Sequence, residues 1–375
     1  MVKVGIDGGG SFLKFCLNLI KTDDSSRSEP VQKRLKYSEG AFQGKFIDSG
    51  VKKLLLIAIT EDVKESYDNV NPILDLLKLD RVEFMSAFDL KLANVYLGIG
   101  THSSTYPCPW CETAKKDFSN PNRQIKLRTL GMIRENAAKF QDEKKRHRSK
   151  NLSAAAYKSC IHEPLAKNLP DDTLVIDLLP VMELHLLLGI TNRLYNHADT
   201  ILSAVEGTTY SAKDWSDQLG IRRPPLHSGE VNGNQCKRLL DNISILKTLL
   251  EDANTGAPGQ KVFNTFEKFN LLRKACFGMI CDENYQQAIV DFQLAYSELH
   301  ISVTSKCHAA FDHIHEFLER QRRPQEDPIR GLGFWSEQAS EAVHSDFSAL
   351  WHQHYKRDRS HANYGKFLLK AVVTL

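Results

Sequence analysis

Apolar and polar positions along the first hundred residues alternate in a way that predicts a sheet before any helix. Residues 2–20 read as two strands joined at Gly8-Gly9-Gly10. Leu54 to Ile59 is a short, continuous apolar run of the buried-strand kind. Tyr67 to Leu77 has helical spacing, with Pro72 near its first turn. Val82 to Phe88 reads as a further strand with Asp89 at its end, and Leu90 to Leu97 as the next helix.

From about residue 127 to 320 the period changes to that of helices. Leu174 to Tyr195, Cys236 to Leu250, Val262 to Cys281 and Tyr285 to Leu299 all place apolar residues at i, i+3, i+4 spacing. Pro224-Pro225 and the Gly256 to Gly259 stretch read as loops between them. A polar stretch from Arg322 to Asp327 precedes a last helical region that runs from about Ser336 to the end. The pattern predicts an α/β layer interrupted by a long helical insertion, with the final helix returning to the sheet.

Composition narrows this only a little. A hydrophobic content of 42% supports a real core, and a net charge of +3 points to no particular partner. No run approaches the roughly 18 apolar residues of a membrane span. Eight cysteines in a chain of 375 residues, without a secretory apolar stretch at the start, suggest reduced thiols or a metal site.

The candidate chemistry is spread along the chain. Asp7 ends a first strand beside glycines, where a carboxylate can hold a cation and backbone can approach a phosphate; a tight hairpin turn would use the same residues. Asp89 is placed either to ligate a metal or to cap a helix. Cys108-Pro109-Trp110-Cys111 sets two thiols on one side of a tight loop, which suits tetrahedral zinc. His308 and His313, spaced H-x4-H, can supply the other two ligands, with Cys307 and His315 as near rivals. Glu337 and Glu341 share a helix face after Trp335. Asn232-Gly233-Asn234 reads as a turn before a helix or as the lining of a DNA path. Lys144, Lys145 and Arg146 form a basic run that suits phosphate contact or plain solvation.

Taken in order, these motifs resemble those of the Transib transposases and of the catalytic subunit of the recombination-activating V(D)J recombinase, with the Chapaev and CACTA transposases as looser relatives. The interval from Asp89 to the C-x2-C pair, the H-x4-H pair, Trp335-x5-Glu341, and Asn-Gly-Asn ahead of a Leu-containing basic helix all match that layout. Glu230, two positions before Asn232, departs from it, because the recombinase has a basic residue there.

The resemblance implies an RNase H-like mixed sheet with a long, all-helical, zinc-clamped insertion between the second Asp and the final Glu. The corresponding divisions are residues 1–107, 108–320 and 321–375. It implies Asp7, Asp89 and Glu341 as the catalytic carboxylates, holding two Mg²⁺ or Mn²⁺ ions, and Cys108, Cys111, His308 and His313 around one structural Zn²⁺. Double-stranded DNA with transposon-end-like sequences would be the partner, met by Asn232, Asn234, Lys144, Lys145 and Arg146. A homodimer, a possible accessory subunit and a nuclear location follow from the same resemblance. Two rival readings are a derivative that binds DNA without cutting it and a sugar kinase of the actin-like class, which also opens with an Asp-Gly-rich hairpin.

Overall fold

A computed structural model describes residues 2–9, 12–19, 55–79, 84–147, 152–221, 230–322, 329–336, 346–353 and 360–374. The chain divides into two compact units. One comprises residues 1–88 and 337–375, and the other residues 89–336.

The first unit is built on a four-stranded mixed sheet. Its strands are β1 (Val2–Gly9), β2 (Phe12–Leu19), β3 (Leu55–Glu61) and β4 (Phe84–Ala87), in the order β3-β2-β1-β4. The first three strands pair antiparallel and β4 runs parallel to β1. A parallel pair needs a crossover, and the helix Tyr67–Leu77 lies between β3 and β4 in the chain. That helix accommodates Pro72 and ends at Lys78 in the left-handed region.

Both faces of β2 are buried, which explains its near-continuous apolar character. Leu13 and Phe15 are buried on one face; Phe12, Lys14 and Cys16 are buried on the other. The Phe12 face is covered by residues from the end of the chain. Phe347 and Trp351 of the helical stretch 346–353, with Ala371 of the helix Tyr364–Thr374, pack on Phe12. The Phe12 and Phe347 rings meet edge to face at 5.1 Å, a favoured aromatic geometry. The Tyr364 hydroxyl donates to both oxygens of Glu61 at 2.5 and 2.6 Å, tying the last helix to β3.

The second unit is helical. Its central helix is Gly256–Cys276, which packs against Glu183–Ser203, Ile243–Asp252 and Tyr285–Ser297. A run of aromatic contacts fills the core. Trp215 meets Phe266 at 5.3 Å, Phe269 meets Phe292 at 5.1 Å, and Phe292 meets Phe311 at 5.3 Å. Among the described residues no helix is long and apolar enough to cross a membrane.

Several boundaries differ from the periodicity reading, each for a local reason. The stretch from Leu174 to Tyr195 is two helices, Val175–Leu178 and Glu183–Ser203, broken around Pro180, which has no N–H to continue the ladder. The stretch from Cys236 to Leu250 is also two helices, Gly233–Asp241 and Ile243–Asp252, joined at Asn242. Gly256 to Gly259 is helix, not loop. Gly256 takes a positive φ of 62° at the entry, and Pro258 falls in the first turn, where its missing N–H costs nothing. The same helix stops at Cys276, short of Cys281.

Candidate metal centre

The loop that carries the two cysteines is fixed from its start. The helix Leu90–Leu97 opens on Asp89, whose carboxylate accepts the Leu92 N–H at 2.6 Å, so Asp89 is a helix N-cap. The helix closes on Gly98 at φ 67°, where a Cβ would lie 2.1 Å from the His162 carbonyl oxygen, so only glycine fits. Buried Asn94 donates to the carbonyls of Gly100 (3.2 Å) and Pro107 (3.0 Å) and so delivers the chain to Cys108.

Arg128 holds the loop from the other side. Only 1% of it is exposed. Its guanidinium donates to the carbonyls of Cys108 (3.1 Å), Cys111 (2.9 Å), Tyr106 (3.3 Å) and Lys158 (3.0 Å). Four carbonyl acceptors match the fork of donors that arginine offers. The Trp110 indole N–H donates to the Leu179 carbonyl at 2.7 Å, which anchors the middle of the C-x2-C turn.

The histidines come from a helix pair. His308 lies in the helix Ser305–Asp312, which Thr304 caps by accepting the Cys307 N–H. His313 is the junction between that helix and Ile314–Gln321. A continuous helix would turn residues five apart about 140° away from each other. The break at His313 removes that offset and brings the two Nε2 atoms to 3.3 Å.

The four side chains converge as the sequence leads one to expect. Cys108, Cys111, His308 and His313 are all buried, and their donor atoms lie within 4.8 Å of one another. Cys108 Sγ is 3.3 Å from His313 Nε2, and Cys111 Sγ is 3.2 Å from His308 Nε2. Tetrahedral zinc with ordinary bond lengths has N–N edges of about 3.4 Å and N–S edges of about 3.6 Å. The observed spacings are close to such a polyhedron, and the cluster could hold a zinc ion.

The rivals point elsewhere. Cys307 Sγ lies 3.3 Å from the Thr304 hydroxyl, and His315 Nδ1 lies 3.1 Å from the Tyr285 hydroxyl. Among the described residues no other group of three or more His, Cys, Asp or Glu donors converges in this way.

The protonation of the pair is unequal. Burial pushes the Cys108 thiol well above its usual range. A hydrogen bond from Cys108, then contacts with His308 and His313, hold Cys111 far below it. Burial opposes a charged His308, but the Asp312 carboxylate and the Cys111 sulfur outweigh it and hold the imidazole above its usual value.

The ring contacts complete the wall. Phe118 stacks on His308 with centroids 4.0 Å apart, and Trp110 lies 5.4 Å from His313. Neither Phe118, Arg128 nor Asp312 was marked by the sequence pattern. Arg128 stands between Leu127 and Thr129, a pattern that a loop also produces.

Compared with protein-family models and with curated proteins, the chain matches none.

The remaining candidates are placed as follows. Asp7 sits on β1, paired across the strand with Lys14, and the Gly8 N–H beside it donates to Glu65 at 2.8 Å. Glu337 and Glu341 lie outside the described residues. Asn232 is the N-cap of the helix Gly233–Asp241 in a reciprocal capping box with Gln235. Asn232 and Asn234 are exposed. Lys144, Lys145 and Arg146 are exposed in the last turn of the helix Leu130–His147, where cations also suit the helix dipole.

Proposed function

We propose that the chain is the catalytic core of a cut-and-paste DNA transposase or recombinase of the Transib type, cutting DNA with Asp7, Asp89 and Glu341. One observation carries the reading. β1 and β4 run parallel with Gly5 opposite Ala87, and Asp7 and Asp89 each follow that pair by two positions along the chain. Three antiparallel strands, a helix and a strand parallel to the first are the order that an RNase H-like sheet would have, and this supports the reading. Residues 346–353 pack on the face that carries Asp7, and Glu341 precedes them by five positions.

The donor set suits hard divalent cations, since all three residues offer carboxylate oxygens. Asp89 uses one oxygen on the Leu92 N–H, and a carboxylate has a second to offer. Bound Mg²⁺ or Mn²⁺ would neutralise charge developing at the phosphate and ready water or a 3′-hydroxyl for attack. Asp7, Asp89 and Glu341 would hold the ions, and no side-chain nucleophile is needed. The Cys2His2 cluster would hold Zn²⁺ as a structural ion, since four protein ligands leave no open position. Asn232, Asn234, Lys144, Lys145 and Arg146 would contact double-stranded DNA. A homodimer, an accessory subunit and a nuclear location belong to the same reading.

The kinase alternative needs a second glycine-rich phosphate loop. Gly331 and Gly333 are isolated glycines, and both abut the Gly278 carbonyl, where a Cβ would come within 2.3 and 2.8 Å. Their role is close backbone packing.

The test is nicking of transposon-end-like duplex DNA by the purified chain with Mn²⁺ at low salt. Asp7→Ala, Asp89→Asn and Glu341→Ala should each lower the rate about 100-fold or more. Asn is used at 89 because it retains the helix cap. Exposed Glu298 serves as the control: Glu298→Ala should cut as the unaltered chain does. An unaltered chain that binds such DNA and never nicks it would establish the non-cutting derivative instead.

A further inference from the structure

The two histidines of the cluster differ in what stands behind them. His308 Nδ1 lies 2.6 Å from Asp312 Oδ2, a close ion-pair contact that falls short of an aligned hydrogen bond. Asp312 is itself gripped by Arg123, whose Nε donates to Oδ2 at 3.0 Å and whose Nη2 donates to Oδ1 at 2.6 Å. Both partners of this ion pair are almost wholly buried, with side chains 5% and 12% exposed. The Arg123 guanidinium also donates to the Asn120 carbonyl at 2.7 Å, so the grip is fixed to the loop that follows the C-x2-C turn. Among the described residues His313 Nδ1 has no hydrogen-bond partner.

A buried ion pair is a weak source of net stability, because desolvation offsets much of its attraction. A carboxylate behind a histidine does have a specific effect on a metal ligand. It attracts the Nδ1–H and so holds the proton on Nδ1, leaves the Nε2 lone pair for the metal and makes that nitrogen more basic.

We propose that Arg123 and Asp312 are positioning residues that set the metal affinity of the Cys108–Cys111–His308–His313 cluster through His308 alone. The inference rests on the reading of that cluster as a metal site. It makes His308 the anchored histidine and His313 the weakly supported one. It also explains why an arginine far from the histidines in sequence is buried against Asp312 on the helix that carries His308. Arg123 and Asp312 are 189 positions apart, and the pair joins the cysteine loop to the histidine helix beside the ion.

The experiment uses the full chain loaded with Co²⁺ as an optical probe and titrated against a chelator. Asp312→Asn and Arg123→Met should each weaken Co²⁺ binding about 10- to 100-fold. The thiolate-to-cobalt bands should keep their shape, since all four ligands remain. Asp312→Glu should recover part of the loss. Melting of metal-free and loaded protein separates positioning from plain packing. A positioning role narrows the gap between the two melting temperatures, whereas a packing role lowers both equally.

Affinity within threefold of the unaltered chain in both Asp312→Asn and Arg123→Met would overturn the proposal, as would an equal fall of both melting temperatures. An unaltered chain that takes up no Co²⁺ or Zn²⁺ would overturn the metal reading itself, and the proposal with it. If Asp312→Asn fails to fold, Arg123→Met still decides, because it leaves every ligand and the carboxylate in place.

Discussion

Cys108 and Cys111 enter the cluster with different proton affinities, and this fixes what metal uptake must release. With Cys108 held up by burial and Cys111 held down by its hydrogen bonds, a proton shared by the metal-free pair rests on Cys108. His308 is held above its usual value, so it adds a second proton on the acid side. Thiols and imidazoles must lose these protons to bind zinc. Uptake of Zn²⁺ should therefore release protons, and more of them on the acid side, where His308 is protonated, than on the alkaline side. Metal affinity should rise with pH across that window. Calorimetry in buffers of different ionisation enthalpy measures the count, and a pH-independent count would contradict the assignment. The ligands themselves were legible in the sequence, because C-x2-C and H-x4-H are local spacings. Arg123, Arg128 and Asp312 were not. Their roles exist only once residues far apart in the chain meet in one buried volume, and no local spacing records that.

At the level of elements, the sequence was most informative where a pattern had a single physical solution. The strand runs of the first sheet and the helical periods of the insertion both fall in this class. It was least informative at junctions. Helix breaks at Pro180, Asn242 and His313 interrupt periodicities that continue across them, because the apolar face continues while the axis changes direction. Asn232 shows a related ambiguity, in which one residue type serves two roles. The structure gives it a capping box with Gln235. Asn232→Ala should then cost about 1 kcal/mol of stability. Asn234 lies exposed one step into the helix and caps nothing. Asn234→Ala should leave the melting temperature within a degree or so and, on the DNA reading, weaken duplex binding. Thermal melting paired with a DNA titration separates the two asparagines. Equal loss of stability in both variants would mean that the capping geometry is not what distinguishes them.

Across the whole molecule, the position of the cluster determines which part of the chain would depend on a bound metal. All four donors lie in the unit of residues 89–336. The cross-link spans most of that unit, since Cys111 and His308 are 197 positions apart. Closing a chain loop of this length is worth on the order of 5 kcal/mol in the chain-entropy view. Zinc in thousandfold excess over its dissociation constant adds about 4 kcal/mol by linkage; these are two views of one stabilisation and do not add. The sheet has its own support. Its ladders, the Phe12–Phe347–Trp351 cluster and the Tyr364–Glu61 hydrogen bonds involve none of the four ligands. Stripping the metal with a chelator should therefore act unevenly. Backbone amides of Cys111, Arg128, His308 and His313, which are hydrogen-bonded or buried around the cluster, should exchange with deuterium much faster. Amides of β1 and β2 should keep their protection. The helix Gly256–Cys276 gives the intermediate case: its aromatic packing is independent of the ions, but Phe292 links it through Phe311 to the helix that bears His308. Its protection should fall by less than that of Ser305–Gln321. Exchange that quickens equally in β1 and in the His308 helix would show that the metal stabilises the chain as one cooperative body. Exchange that quickens nowhere would show that the buried donors hold together without an ion.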